Sequence, residues 1–502
     1  MNQTQRGAAR KVLSLWSDVA NLSFTETSGS AGDIRFGTAT LPAGVGGWAY
    51  YPGTGNGGDV WISNYYSQNA TPAAGDSAYS LFVHEIGHAL GLKHPGDYDV
   101  TGGGSEGPYL PAAEDNEQYT AMSYQSHPHT AGNPLGPMLY DIAAIQYLYG
   151  VNSATRSGAD TYSWSVGAAP IQAIWDGGGS DTIDASNQTA SQVIDLRAGT
   201  FSSIAGGVQN VAIAYGAIIE NATGGAGNDS IIGNGLANLL VGGGGGDTLT
   251  GGGGNDVLFG GGGDDIAYLN GGVVFLSGIE SVIGAAGAVD HVVLDGGSIY
   301  VGADIDIVIG SAGADVVTLG PGGARLIAAA LETLTGGSGH DHVELGNRGN
   351  TATVSGLDVL IGGLNTDVVT LGPGGARLIV AALETLTGGS GHDHVELGNR
   401  GNTATVSGLD VLIGGLNTDI VTLGPGGNGL IVAALETLTG GSGHDHVELG
   451  NRGNTATVSG LDVLIGGLNT DIVTLGPGGN GLIVAALETL TGGSGHDHVE
   501  LG

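Results

Sequence analysis

Residues Gly224–Tyr268 read GGAGNDSII, GNGLANLLV, GGGGGDTLT, GGGGNDVLF and GGGGDDIAY, nine-residue units in direct succession. Each unit opens on glycine, carries Asp or Asn at its sixth position and closes on a short apolar run. Glycine reaches the positive-φ conformations that tight turns need. Ile231, Leu240, Leu249, Leu258 and Ala267 hold the same apolar position throughout, which a flexible linker would not require. A turn and a short strand at fixed period make a solenoid, in which one unit buries its apolar face only against the next. Two units complete one coil of a parallel roll. Asp229, Asp247 and Asp265 are therefore expected to stack on one side, and Asn238 and Asp256 on the other.

Downstream the period changes to 26 residues. Asp315, Asp341, Asp367, Asp393, Asp419, Asp445, Asp471 and Asp497 form one series at that spacing, and Asp306, Glu332, Asp358, Glu384, Asp410, Glu436, Asp462 and Glu488 a second. Alternate units differ, so the near-identical repeat is 52 residues long. The chain stops inside a unit at Leu501-Gly502 with no capping segment, which reads as truncation of this solenoid.

Upstream, residues 1–150 have ordinary globular composition. Val12, Leu15, Trp16 and Val19 predict an amphipathic helix over 7–20. Strand-like runs follow at Leu22–Thr25, Asp33–Gly37, Trp48–Tyr51 and Asp59–Ser63. Helices are predicted near Ser77–Leu90, capped by Asp76 or Ser77 and stopped by Gly91, and near Met138–Leu148, stopped by Gly150. The expected organisation is an α+β domain over 1–150, a connecting β region over 151–223 with strands near Ser191–Leu196 and Val208–Tyr215, a β-roll over 224–268 and an all-β parallel solenoid over 269–502.

Composition narrows the chemistry. The 502 residues include 101 Gly and no Cys, so disulfides and thiolate metal sites are excluded. Forty-eight acidic against 12 basic residues give a net charge of −36, which repels nucleic acid and anionic membrane surfaces. Acids recurring at fixed spacing point instead to neutralisation by cations. No apolar run is long enough to span a bilayer, and Met1–Leu22 lacks the order of a secretory signal.

The segment His84-Glu85-Ile86-Gly87-His88-Ala89-Leu90-Gly91-Leu92-Lys93-His94 carries the sharpest signal. His84 and His88, four apart, share one helix face and can bind one ion. Gly91 can end the helix and turn the chain so that His94 returns as a third ligand. Three protein ligands leave an open position, as catalytic rather than structural zinc requires. Glu85 is placed to take a proton from a water acidified by the ion. The extended spacing is the metzincin signature. Downstream, Tyr119-Thr120-Ala121-Met122-Ser123-Tyr124 looks like a Met-turn, with Met122 as a soft apolar floor beneath the histidines. His127 and His129 match no ligand position and read as a solvated loop.

In the roll, turn carbonyls and the carboxylates of Asp229, Asp247, Asp256 and Asp265 supply the hard oxygens that calcium prefers. Asn238 lacks charge, so weaker binding is expected on its side. The 26-residue units keep a thinner version of the pattern, as in Gly336-Gly337-Ser338-Gly339-His340-Asp341, and their calcium binding stays open. The pairs His340/His342, His392/His394, His444/His446 and His496/His498 read as exposed decoration rather than a zinc or nickel site.

Together these stretches, with SLWSDVANLSFTE, DIRFG, AYYPG, DIAAIQYLYG and WDGGGSDTIDAS, resemble the serralysin family of secreted bacterial metzincins over residues 6 to about 268. The resemblance implies one catalytic zinc on His84, His88 and His94, Glu85 as base, and Tyr124 as a zinc-coordinating phenol that can stabilise the oxyanion. It implies several structural calcium ions, protein or peptide substrates, an extracellular location, and Trp48–Tyr51 as a substrate-pairing edge strand. A monomer with no nucleic-acid partner and no membrane span is expected. The family normally begins with a propeptide and a first strand, whereas this sequence starts close to its first helix, so the domain is expected to be amino-terminally incomplete. Two other functions compete: a calcium-binding surface or adhesive repeat protein with a vestigial protease domain, and a calcium-buffering matrix component. The presence of Glu85 beside all three histidines favours the endopeptidase.

Overall fold

The computed structural model describes residues 1–28, 31–98 and 107–502, which form two compact units, Met1–Asp265 and Ile266–Gly502. In the first unit α1 spans Gln3–Val19 and buries Val12 and Trp16. It starts four residues before the expected Gly7 because Asn2 and Gln5 close a reciprocal capping box, each side chain accepting from the other's backbone N–H at 2.9 Å. Strands β1 (Arg35–Ala39), β2 (Gly47–Ala49) and β3 (Asp59–Ser63) form a sheet with β3 central, parallel to β1 and antiparallel to β2. Leu22–Thr25 alternates in exposure but is not a strand. The period-two pattern there records one-sided burial without a pairing strand among the described residues.

Helix α2 spans Ser77–Ala89, and the Asp76 carboxylate accepts from Tyr79 N at 2.7 Å to cap it. At its far end Gly91 takes φ +104, and Leu92 N donates back to Gly87 O at 2.9 Å. This six-to-one closure satisfies a terminal carbonyl and sends the chain back towards the helix. Helix α3 spans Leu139–Tyr149 and ends at Gly150.

A parallel roll follows within the same unit. Thr161–Ser163, Thr182–Asp184, Asn221–Thr223, Leu239–Gly244 and Val257–Gly262 line one side. Val193–Asp195, Ser230–Ile232 and Thr248–Thr250 line the other. Asn221 pairs with Leu239, and Leu239 with Val257, so two nine-residue units do make one coil. Ile231, Leu240, Leu249 and Leu258 are fully buried between the two sides. Of the two strands expected upstream, Val193–Asp195 joins the roll. Val211–Ile213 instead lies between Gln172–Ile174 and Phe201–Ser202 in a separate three-stranded sheet.

The second unit is also a two-sided parallel stack. Arg325–Ala329 and Arg377–Ala381, 52 residues apart, are separated in their sheet by two strands, His342–Leu345 and Val359–Ile361. Fifty-two residues therefore make three coils, and 26 make one and a half. Successive 26-residue units consequently start on opposite sheets: Asp315 opens a strand of one, and Asp341 immediately precedes a strand of the other.

The two acidic series prove to be one feature. Along each edge a backbone N–H donates to a side-chain oxygen 17 residues on: Asp341 N to Asp358 Oδ2 at 2.9 Å, Asp367 N to Glu384 Oε2 at 2.7 Å, and Asn402 N to Asp419 Oδ1 at 2.9 Å. Asp419, fully buried, also accepts Asn402 Nδ2 on Oδ1 at 2.8 Å and Gly415 N on Oδ2 at 2.7 Å. Asp367 and Asp471 repeat this arrangement with Asn350, Gly363, Asn454 and Gly467. Both oxygens of these carboxylates are thus matched by N–H donors, as buried acids require.

Asp419→Ala leaves three donors without that acceptor, at about 1–3 kcal/mol for each group that stays unsatisfied. The amides of Ile420–Leu423 should then exchange hydrogen at least about tenfold faster, a loss of about 1.4 kcal/mol. Unchanged exchange would mean that the ladder does not hold the coils in register.

Candidate metal centre

The α2 spacing and the Gly91 turn gather three imidazoles. His84, His88 and His94 are buried, and their ligand atoms lie within 4.8 Å of one another. His84 Nε2 is 3.2 Å from His94 Nε2, which is 3.0 Å from His88 Nε2. The Nδ1 atoms face carbonyls: His84 faces Ala121 O at 2.9 Å and His88 faces Leu92 O at 2.7 Å. A carbonyl can only accept, so each of these Nδ1 atoms carries the proton and each Nε2 presents a lone pair. Two such lone pairs aimed at one point, with a third imidazole beside them, repel unless a cation sits among them. Burial and the neighbouring imidazoles hold His84 well below the usual histidine range, keeping it neutral and ligand-competent. The donor set fits zinc.

Glu85 is 4 % exposed, and its Oε2 has no hydrogen-bond partner. Burial pushes its pKa up to about 8. A dication on the adjacent histidines would draw it back down by favouring the carboxylate. Strand β2 runs close to this group, since a Cβ on Gly47 would lie 3.0 Å from Glu85 Oε1. The sheet order leaves one side of β2 unpaired among the described residues, which suits the edge role expected for Trp48–Tyr51.

Tyr124 is half-exposed, and its ring centroid lies 5.6 Å from that of His84 and 4.6 Å from that of His94. Met122 is buried beneath, with its sulfur 2.5 Å from where a Cβ on Gly87 would stand. Gly87 is therefore the space in α2 into which the Met122 floor packs. Asp141 of α3, absent from the sequence reading, holds this turn. It accepts Thr120 Oγ1 at 2.6 Å, Ala121 N at 2.7 Å and Met138 N at 2.9 Å. Because Ala121 O faces His84 Nδ1, Asp141 orients the His84 ring through the backbone of Ala121. Burial pushes its pKa up to about 6. The local sequence around Asp141 shows only an acid in the first turn of a helix, so its inward contacts were not visible. A cavity of about 450 Å³ adjoins the centre, lined by Leu92, His94, Leu110, Met122, Ala144 and Leu148 among others.

His127 departs from the solvated-loop expectation. It is buried, its Nδ1 accepts from His129 N and Thr130 N, and its Nε2 faces Gln209 O at 3.1 Å. It pins the segment after the Met-turn to the β region, whereas His129 is exposed as expected.

In the roll, Asp229 N donates to Asp247 Oδ1 and Asp247 N to Asp265 Oδ1, both at 2.7 Å, while Asn238 N donates to Asp256 Oδ1 at 2.9 Å. The two predicted stacks form. The second oxygens distinguish the positions. Asp247 Oδ2 and Asp256 Oδ2 are buried without a hydrogen-bond partner, and burial above all pushes both carboxyls up to about 6. A Cβ on Gly242 would overlap Asp247 Oδ2 and come within 2.6 Å of Gly260 O. Carboxylate and carbonyl oxygens thus converge, a donor set that fits calcium. Asn238 satisfies itself, with Oδ1 accepting from Asn234 N and Nδ2 donating to Glu220 O.

A second acidic cluster was missed. Asp160, Asp176 and Asp181 bring ligand oxygens within 4.8 Å of one another, and Asp181 Oδ2 is buried with no partner. Asp176 and Asp181 lie in the quoted WDGGGSD stretch, and only the fold adds Asp160. In the 26-residue units His340 sits 3.5 Å from Asp358 and His342 3.7 Å from Glu344, and no further metal cluster gathers among the described residues.

A buried three-histidine centre with a neighbouring glutamate, on an α+β domain that leads into a parallel roll, defines a metallopeptidase-like class. Residues 140–497 match the family model described as Peptidase M10 serralysin C terminal, and residues 1–100 match Matrixin. The chain belongs to the serralysin-type M10 peptidase family. It is 41% identical over 265 residues to metallopeptidase AprA of Pseudomonas marginalis, covering 47% of this chain and 56% of that protein. It is 41% identical over 278 residues to serralysin of Proteus mirabilis (47% and 55%), and 42% identical over 262 residues to metalloprotease AprA of Pseudomonas entomophila (47% and 54%). The chain thus spans about half the length of the curated relatives it matches.

Gly87→Ala forces Met122 or α2 to move, since a real Cβ cannot stand 2.5 Å from the sulfur. Overpacking of this kind costs about 1–3 kcal/mol. Zinc affinity, read by competition with a chromophoric chelator, should fall, and an unaltered affinity would remove Met122 as the floor of the site.

Proposed function

We propose that the chain is a secreted, zinc-dependent endopeptidase that hydrolyses peptide bonds in proteins, with its catalytic domain within residues 1–150. The observation that carries this reading is the convergence of neutral imidazole lone pairs beside Glu85, a buried carboxyl with an unpartnered oxygen. Zinc held by His84, His88 and His94 supplies Lewis acidity, which acidifies water and polarises a carbonyl. Glu85 accepts the proton as the nucleophile attacks and passes it to the leaving amine. The Tyr124 phenol, half-exposed beside His84 and His94, can turn towards the substrate and donate to the developing oxyanion. An extended substrate adds to the open side of β2 through main-chain hydrogen bonds, which favours broad sequence preference.

In the same proposal residues 151–223 connect the domains, and residues 224–268 form a calcium roll in which Asp229, Asp247, Asp256 and Asp265 contribute ligands. Asp160, Asp176 and Asp181 add a further calcium site, supported by the unpartnered Asp181 Oδ2. Residues 269–502 form a solenoid whose later coils need no calcium, because N–H donors already occupy both oxygens of Asp367, Asp419 and Asp471 in the metal's stead, whereas Asp315 Oδ1 is buried without a partner. No helix among the described residues is long and apolar enough to cross a membrane. The relatives' names and the complete histidine–glutamate set favour an active enzyme over an adhesive protein with a vestigial domain.

Glu85→Gln should retain zinc and lose casein hydrolysis by about 100-fold or more, the usual contribution of a general base. Near-normal turnover with zinc confirmed bound would sink the assignment.

Calcium removal should separate the two repeat regions. In chelator, the amides of Ser230–Ile232 and Thr248–Thr250 should exchange rapidly while those of His394–Leu397 and Ile420–Leu423 stay protected. Equal loss in both regions would overturn the calcium-free solenoid.

A further inference from the structure

The second unit's two sheets differ in what they show to solvent. One presents Arg325, His342, Glu344, Arg377, His394 and Glu396 among its outward residues. On the other, every outward strand position from Val316 to Thr491 is Thr, Ser, Val or Ile. The hydroxyls line up across the coils. Thr333 pairs with Thr353, Thr353 with Thr370, Thr370 with Thr387, and Thr387 with Ser407. A parallel column runs Thr385, Thr405, Thr422, Thr439 and Ser459, and a third runs Thr437, Thr457, Thr474 and Thr491. Where a column is interrupted, Val368, Ile420 or Ile472 keeps the branched methyl.

Strand propensity alone would favour Thr, Val and Ile on both sheets. It does not explain why charge is confined to one. The hydroxyl face is periodic in two directions, about 4.8 Å from coil to coil and about 6.7 Å between alternate residues of a strand. It carries no Arg or Lys to meet phosphate. It offers none of the aromatic or Arg anchors that dominate protein interfaces, nor the aromatic rings that stack on sugars.

We propose that this face binds a periodic, uncharged lattice of water, namely ice. The threonine hydroxyls order water at intervals close to the oxygen repeats of a prism plane of hexagonal ice, and the branched methyls between them exclude disordered water. Glu or Lys on this face would hold its own hydration shell and break the match, which accounts for their absence.

The full calcium-loaded chain should facet growing ice crystals and open a gap between melting and freezing points in nanolitre osmometry. Thr370→Lys and Thr422→Lys, at exposed positions in two columns, should abolish faceting and shrink the gap several-fold. Ile379→Lys, exposed on the charged sheet, should leave both intact. Circular dichroism checks folding, and Thr422→Tyr, a good strand former, is the second variant should a lysine substitution fail to fold. Absence of faceting by the folded wild type overturns the proposal, as does equal loss in Ile379→Lys. Retention on microcrystalline cellulose in place of ice, or dimerisation that covers the face in sedimentation, overturns it as well.

Discussion

In both repeat regions a backbone N–H donates to a side-chain oxygen one coil further on. Asp229 N reaches Asp247 across 18 residues, and Asn402 N reaches Asp419 across 17. This bond fixes which residue of one coil sits above which residue of the next. A parallel sheet with a uniform Leu and Val interior would otherwise tolerate slippage, because apolar packing alone distinguishes register poorly. The bond also requires that a carboxylate be buried, so something must satisfy its second oxygen. The two regions meet that requirement differently. Asp419 Oδ2 accepts Gly415 N, whereas Asp247 Oδ2 and Asp256 Oδ2 are buried without a hydrogen-bond partner. One construction rule thus yields carboxylates with an oxygen to spare in the roll and carboxylates matched on both oxygens at Asp367, Asp419 and Asp471.

The metal centre obeys the same logic with imidazoles. Carbonyls of Ala121 and Leu92 select the tautomers of His84 and His88, and the lone pairs left over converge. The chain of support then leads away from zinc: Ala121 N donates to Asp141, and Asp141 caps the start of α3. Helix α2, the Met-turn and α3 are therefore held relative to one another by polar contacts, while Met122 fills the notch at Gly87. Displacing any of these moves a ligand without touching the ligand itself.

Much of this was legible in sequence because it is local. His84, Glu85, His88, Gly91 and His94 lie within one helix and its closing turn, so spacing alone places them. The nine-residue units declare their two stacks because a coil is two periods long. What stayed hidden is what depends on distant residues. Asp141 is one acid at a helix start, and its three hydrogen bonds come from the Met-turn and the helix cap. Asp160 joins Asp176 and Asp181 only through the coil, and His127 is buried by Gln209, 82 residues away. Leu22–Thr25 shows the converse, a strand pattern with no pairing strand among the described residues.

The 26-residue period has a geometric consequence that also explains its doubling. A 26-residue unit winds one and a half coils, so identical units would place the same peptides alternately on both sheets and make the two faces alike. Here the units differ in alternation. Those reading DVVTL or DIVTL start on one sheet, and those reading DHVEL start on the other. The later strands follow suit: TLT and TATVS fall on the first sheet, while the Val359–Ile361 type falls on the second. Divergence of sister units is the minimum change that gives a half-integer solenoid two distinct surfaces. Internal packing accounts for little of that divergence, since both unit types keep Val or Leu at most inward positions, with Leu378 against Ala404 the main exchange. The distinction between the faces is therefore a property of the surface, and its explanation belongs to what each surface meets.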